Sequence, residues 1–158
     1  MIILGVDPAL SVTGFGAIKT TGVKLGLLEA GIISTSCKYP TAQRLDKIYQ
    51  AMVKLIEDIK PDCLVLEKIF SHYKHPATAF VLGQARGVIC LAAQAKNILL
   101  VEYAATRVKK AIVGNGLASK SQVQRMVAQV LNLKELPQPL DVSDALGLAI
   151  AHSYIGEK

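Results

Sequence analysis

Cysteine is scarce in this chain. Cys37, Cys63 and Cys90 are an odd number at wide spacing, with no C-x-x-C pair and no paired histidine near them. That excludes a disulfide framework and a zinc site, and leaves them as small core or surface residues. Charge is thin as well: 19% of the 158 residues are charged and only 12 are acidic, against 51% hydrophobic. Such a chain is neither disordered nor a coiled coil, and residues 1–158 read as one compact domain with a substantial core. A long uncharged apolar run is also missing. The best candidate for a membrane span, residues 76–95, opens on Pro76 and carries Gln84, Arg86 and Gln94, each of which would cost roughly a few kcal/mol in hydrocarbon. It reads as a buried helix. The N-terminus has neither a basic segment nor a small-residue cleavage site, so no signal peptide is expected, and a cytoplasmic location is.

What charge there is sits unevenly. The net charge is +6, yet from Lys68 to Lys134 there are ten basic residues and a single acidic one, Glu102. A cationic stretch of this kind suits a phosphate backbone, because each neutralised phosphate releases condensed counterions. A merely solvated surface is the plainer alternative.

Along the chain, Ile2–Val6, Thr13–Lys19 and Val23–Thr35 are rich in β-formers and separated by turn residues, which predicts a three-stranded meander. From Thr41, apolar residues recur at three and four positions up to Pro61, the pattern of an amphipathic helix. Cys63–Leu66 is a short apolar run of the kind buried on both faces of a sheet. Helix Ala77–Lys96, strand Ile98–Val101 and helix Ala104–Val113 follow, the last stopped by Gly114-Asn115-Gly116. Two further helices are expected: Ser119–Leu131, with Ser119 or Ser121 as cap, and Asp141–Tyr154 after Pro137 and Pro139. The sum is an α/β chain with a five-stranded mixed sheet flanked by helices, an order that resembles the ribonuclease H-like fold.

Three places put carboxylates where a folded chain has little structural need of them. Asp7 ends the first apolar strand and Glu67 closes Leu64-Val65-Leu66; unpaired, either acid would cost roughly several kcal/mol if buried. Parallel neighbouring strands would bring both to one sheet edge. Asp141 and Asp144, three apart, share a face of the last helix's first turn. Singly, Asp141 is explained as an N-cap and Asp144 by the helix dipole. Together the four predict a convergence of oxygen ligands for hard divalent cations such as Mg²⁺ or Mn²⁺, two of which can clamp a phosphodiester displacement.

With these acids stand Gly5-Val6-Asp7-Pro8-Ala9, Thr13-Gly14-Phe15-Gly16, Glu67-Lys68-Ile69-Phe70 and Leu82-Gly83-Gln84-Ala85-Arg86-Gly87. Later come Glu102-Tyr103-Ala104, Val108-Lys109-Lys110, Val113-Gly114-Asn115-Gly116, Lys120-Ser121-Gln122-Val123-Gln124 and Asp141-Val142-Ser143-Asp144-Ala145-Leu146. In this order, over nearly the whole chain, they resemble the RuvC family of Holliday-junction resolvases. The resemblance implies a homodimeric, metal-dependent endonuclease of recombination and DNA repair. Such an enzyme binds four-way DNA junctions and nicks two opposing strands symmetrically, leaving 5′-phosphate and 3′-hydroxyl ends, with help from a branch-migration motor. It implies that Asp7, Glu67, Asp141 and Asp144 hold two Mg²⁺ ions, with Mn²⁺ as a substitute, and that Lys120 joins the catalytic set. Lys109, Lys110 and Lys120 would contact DNA, and Phe70 would insert at the junction, a core position being its alternative. One departure is Ala9, where the family usually has Gly; a positive backbone φ there would be strained. His72, His75 and His152 are expected at the surface or near DNA, without metal.

The helix over residues 77–95 is apolar almost all round, so part of it needs a cover beyond its own sheet, and a second subunit is the natural one. Three other functions share parts of this pattern. The Gly5-Val6-Asp7 and Thr13-Gly14 pieces also resemble the phosphate hairpin of actin-like ATPases and sugar kinases, which need two such domains. A ribonuclease H-like nuclease acting on RNA shares the acids and the charge. A junction-binding protein without catalysis has no use for four converging carboxylates.

Overall fold

The computed structural model describes residues 1–68 and 76–156. Its elements are β1 (Ile2–Asp7), β2 (Val12–Thr21), β3 (Lys24–Ser34), α1 (Thr41–Ile59), β4 (Cys63–Glu67), α2 (Pro76–Ala95), β5 (Leu99–Tyr103), α3 (Ala105–Val113), α4 (Lys120–Val130) and α5 (Leu140–Ile155). The sheet runs in the order β3-β2-β1-β4-β5. The meander β1–β2–β3 is antiparallel, whereas β4 lies parallel to β1 and β5 parallel to β4. This is the ribonuclease H-like arrangement expected from the element order.

Period-two alternation divides the core into two layers. Ile3, Cys63, Val65 and Tyr103 pack with α3, α4 and α5 on one face of the sheet. Leu4, Val6, Leu64 and Leu66 pack with α1 and α2 on the other. Strands β1 and β4 are thus covered on both sides, which is why they read as continuous apolar runs rather than alternating ones. By the same alternation Asp7 and Glu67 follow Gly5 and Val65 onto the α5 face.

Helix ends follow local chemistry. Lys60 closes α1 with a left-handed backbone, its N–H donating to Ile56 O, and Pro61 prevents continuation. Ser119 caps α4 through a complete capping box with Gln122, so the cap is Ser119 and not Ser121. Helix α5 begins at Leu140 behind Pro139 and has no side-chain cap. Asp141 is therefore a first-turn residue and not the N-cap.

Burial departs from the sequence pattern at α2 and at His152. Helix α2 was expected to be a buried helix, but it buries only the face bearing Ala85, Ile89, Ala92 and Ala93. Phe80 is 68% exposed and Leu91 58% exposed on its other side. By length and composition Ala77–Ala95 could cross a membrane, yet its inner face packs on α1 and β5. His152, expected at the surface, is buried in α5 with Nδ1 2.8 Å from Tyr103 Oη. Burial holds its pKa below the ordinary histidine range.

Candidate active site

The site begins where β1 and β4 end. Val6 pairs with Leu66, so the next residues, Asp7 and Glu67, end their strands side by side, Asp7 still paired with Gly14 and Glu67 with Tyr103. The chain after Asp7 turns within a few residues and is tied by Thr13, whose buried Oγ1 donates to Ala9 O at 2.7 Å and accepts from Ala9 N–H at 3.3 Å. Ala9 is not among the residues with positive φ, which among the described non-glycine residues are Lys60, Asn97 and Asn132. The strain feared at Ala9 does not arise, and alanine is accommodated in this turn.

Helix α5 delivers the second pair of acids, and two glycines set how closely it lies on the sheet. A Cβ on Gly5 would stand 2.0 Å from Ala145 O, and one on Gly14 would stand 2.2 Å from Asp141 O. Any side chain there would lift the helix. With none, the α5 backbone rests directly on β1 and β2, and its first turn comes level with Asp7. From the opposite side, the start of α4 brings Lys120 and α3 brings Lys109.

These elements enclose a pocket of about 220 Å³ whose lining includes Asp7, Glu67, Asp144, Lys109 and Lys120, with Val108 and Leu148 among its apolar walls. Lys120 Nζ stands 2.6 Å from Asp144 Oδ2. Asp141 and Lys110 are not among the lining residues, and Lys110 is exposed. Three of the four acids predicted to converge therefore line the pocket and Asp141 does not, although Asp141 raises the Asp7 carboxyl more than Glu67 does. Among the described residues no three acidic, histidine or cysteine side chains stand close enough to cage an ion as they are; Lys120 draws Asp144 to itself and Asp141 keeps outside the lining.

The electrostatics nevertheless register the whole set. Burial, then Asp144, Asp141 and Glu67, push the Asp7 carboxyl up to about 7, against the opposing pull of Lys120. Glu67, more open to solvent, is raised by partial burial and by Asp144, with Lys120, Lys109 and Arg86 opposing. Lys120 is raised above the usual ammonium range by its hydrogen bond to Asp144, against its own desolvation. Acids that raise one another in this way form a locus of unbalanced negative potential. Its donors are all hard carboxylate oxygens, with no thiol or imidazole in the pocket lining. This set fits a hard divalent cation such as Mg²⁺ or Mn²⁺ and not a thiophilic metal.

Phe70, His72 and His75 lie outside the described residues. No local signal in the sequence points to the role of Gly5 and Gly14, whose effect lies in a packing distance, or to the apolar walls from Val108 and Leu148. Arg86 and Glu102 belong to recognised motifs, yet they stand behind the pocket and not in it.

The chain matches the model of the family described as "Crossover junction endodeoxyribonuclease RuvC" over residues 3–152. Among proteins of that description, it is 44% identical over 153 residues to the one of Brevibacillus brevis, covering 97% of this chain and 92% of that one. It is 45% identical over 152 residues to the one of Halothermothrix orenii, covering 96% and 92%. Among solved structures, RuvC of Thermus thermophilus in complex with a Holliday junction substrate superposes with a TM-score of 0.93 at 29% identity, over 99% of this chain and 94% of that one. The yeast mitochondrial Holliday junction resolvase Ydc2, at 14% identity and a TM-score of 0.66 over 94% of this chain and 76% of that one, shares the fold.

Proposed function

Because the chain belongs to the RuvC family of crossover junction endodeoxyribonucleases, we propose that the pocket at the ends of β1 and β4 is where it cuts four-way DNA junctions. The protein is a nuclease that resolves Holliday junctions in recombination and repair. The observation that carries the assignment of the site is the meeting of Asp7, Glu67 and Asp144 with Lys109 and Lys120 in one pocket, with Asp141 a turn away on α5.

Asp7, Glu67, Asp141 and Asp144 would hold the divalent ions, two per site, with Mg²⁺ as the ordinary ion and Mn²⁺ as its substitute. Bound there, such ions lower the pKa of an attacking water and neutralise charge at the departing 3′ oxygen. The residues themselves do the positioning. Asp7, with its pKa near 7, is the carboxylate most changed by an incoming cation. Lys120 pairs with Asp144 in the free protein and is exposed enough to turn toward a phosphate; Lys109 and the exposed Lys110 extend the same positive wall along the backbone. Phe70, three residues beyond Glu67, would stack on an unpaired base, a contact worth about 1–3 kcal/mol.

Two symmetric cuts call for two such sites. The uncovered apolar face of α2, with Phe80 and Leu91 outermost, supports a homodimer in which each subunit serves one of the opposing strands. The work is cytoplasmic, at junctions handled with a branch-migration motor.

The test is cleavage of a synthetic mobile four-way junction with Mg²⁺ or Mn²⁺, beside linear duplex and RNA–DNA hybrid. Paired nicks confined to the junction, lost in Asp7→Asn with binding retained, are the expected result. Full cleavage by Asp7→Asn would remove the site assignment, and cutting of the hybrid instead would replace the substrate.

A further inference from the structure

Two motifs of the sequence, Leu82–Gly87 on α2 and Glu102–Ala104 at the end of β5, take no part in the pocket lining. They meet behind it. Arg86 reaches from α2 to the strand ends, where its Nη1 donates to the main-chain O of Glu67 at 2.7 Å and its Nη2 donates to Glu102 Oε1. The Arg86 side chain is 11% exposed and that of Glu102 41%. Alternation along β5 accounts for the meeting, since Val101 and Tyr103 pack in the α5 layer and Glu102 between them faces α2.

The place that Arg86 holds is the last rung of β4. The pairing of β4 with β5 stops at Glu67 opposite Tyr103, and the next N–H, that of Lys68, donates to Tyr103 O at 2.8 Å. The Glu67 carbonyl points toward α2 while its side chain turns to the pocket, so whatever grips the carbonyl sets the rotation of the residue.

We propose that Arg86, itself aimed by Glu102, is a positioning residue that fixes the Glu67 carboxylate for metal binding by pinning the Glu67 carbonyl from the far side of the sheet. Arginine suits this task because its planar fork serves two acceptors at once, whereas a lysine ammonium is a single point charge on a flexible stem. A partly exposed ion pair does little for stability alone. Partners that orient a ligand from behind, by contrast, typically weigh about 10–100-fold on metal affinity or activity.

The inference rests on Glu67 being a carboxylate that holds the ion, and the test separates the two. Arg86→Lys, Glu102→Gln and Glu67→Gln are compared with the parent by circular dichroism, by junction binding in EDTA, and by Mn²⁺ affinity of the DNA-free protein from electron paramagnetic resonance. Single-turnover junction cleavage is then followed as Mn²⁺ is titrated. Arg86→Lys and Glu102→Gln are expected to keep the parent's spectrum and junction affinity while losing about tenfold in Mn²⁺ affinity. Their cleavage is expected to be slow at limiting Mn²⁺ and largely restored at saturation, a split that general loosening of the fold does not produce. Parental Mn²⁺ affinity in both variants, with Glu67→Gln defective, overturns the positioning role and leaves the role of Glu67 standing. Parental binding and cleavage in Glu67→Gln overturns both. Should Arg86→Lys fail to fold, Glu102→Gln decides, since it leaves the sequence of α2 untouched.

Discussion

Replacing Asp7 by Asn is expected to abolish cleavage and yet stabilise the metal-free protein, increasingly so as pH rises. In the folded chain the Asp7 carboxyl titrates at about 7 against an ordinary 3.8, chiefly because it is buried and next because Asp144 stands near. A carboxyl whose pKa is raised by folding keeps its proton longer in the folded state than in the unfolded one. It therefore costs nothing below about pH 4, costs progressively more as pH rises, and costs its full amount above about pH 7. At about 1.36 kcal/mol per pH unit the displacement amounts to roughly 4 kcal/mol. Partial exposure and solvent screening reduce that to roughly 2 kcal/mol. Rather more than half of it develops between pH 5 and pH 8, and for a chain of this size each kcal/mol moves Tm by roughly 2–4 °C. The assay is thermal unfolding of both proteins in EDTA across that range. The Tm advantage of Asp7→Asn is expected to widen by roughly 2–4 °C from pH 5 to pH 8, and millimolar Mg²⁺ is expected to raise the parent more than the variant. An advantage that stays constant with pH would refute the claim that burial and the neighbouring acids raise the Asp7 carboxyl.

Lys120→Ala is expected to weaken junction binding and to reduce the slope of log affinity against log salt by about 1, measured by fluorescence anisotropy at several salt concentrations. Gly14→Ala is expected to destabilise by about 1–3 kcal/mol or more, since the new Cβ meets the Asp141 backbone. Its cleavage is expected to be lost well below its melting temperature, because the acids of α5 are lifted with the helix. Phe80→Glu with Leu91→Glu is expected to give a folded monomer by light scattering, with paired nicking lost; a persistent dimer would place the subunit contact elsewhere.

The elements were legible because their signals are local. Ile2–Val6 and Cys63–Leu66 announce strands covered on both faces, and the acids that end them stand out against their aliphatic neighbours. The spacing of Asp141 and Asp144 on one helical turn is equally local. What stayed hidden depends on partners far apart in the chain. Helix α5 is buried from Val142 to Ser153 except at Asp144, and nothing in its own periodicity says that it sits on Gly5 and Gly14. His152 reads as a surface residue until Tyr103, 49 positions away, is found beside it. The outer face of α2 reads both as buried and as awaiting a second subunit, because composition records apolarity and not which side the sheet takes. Spacing groups Asp141 with Asp144, while its place outside the pocket lining depends on how α5 is seated on Gly5 and Gly14.

The close seat of α5 on β1 and β2 bears on anyone who would map this site or rebuild it. An alanine scan that skips or tolerates glycine would chart the acids and lysines and pass over the two positions that set their height. Grafting the same four carboxylates onto another α/β scaffold would reproduce the charges and miss the chemistry, unless the receiving strands also carried bare backbone beneath the helix. What such a graft has to inherit is a gap the width of a methyl group.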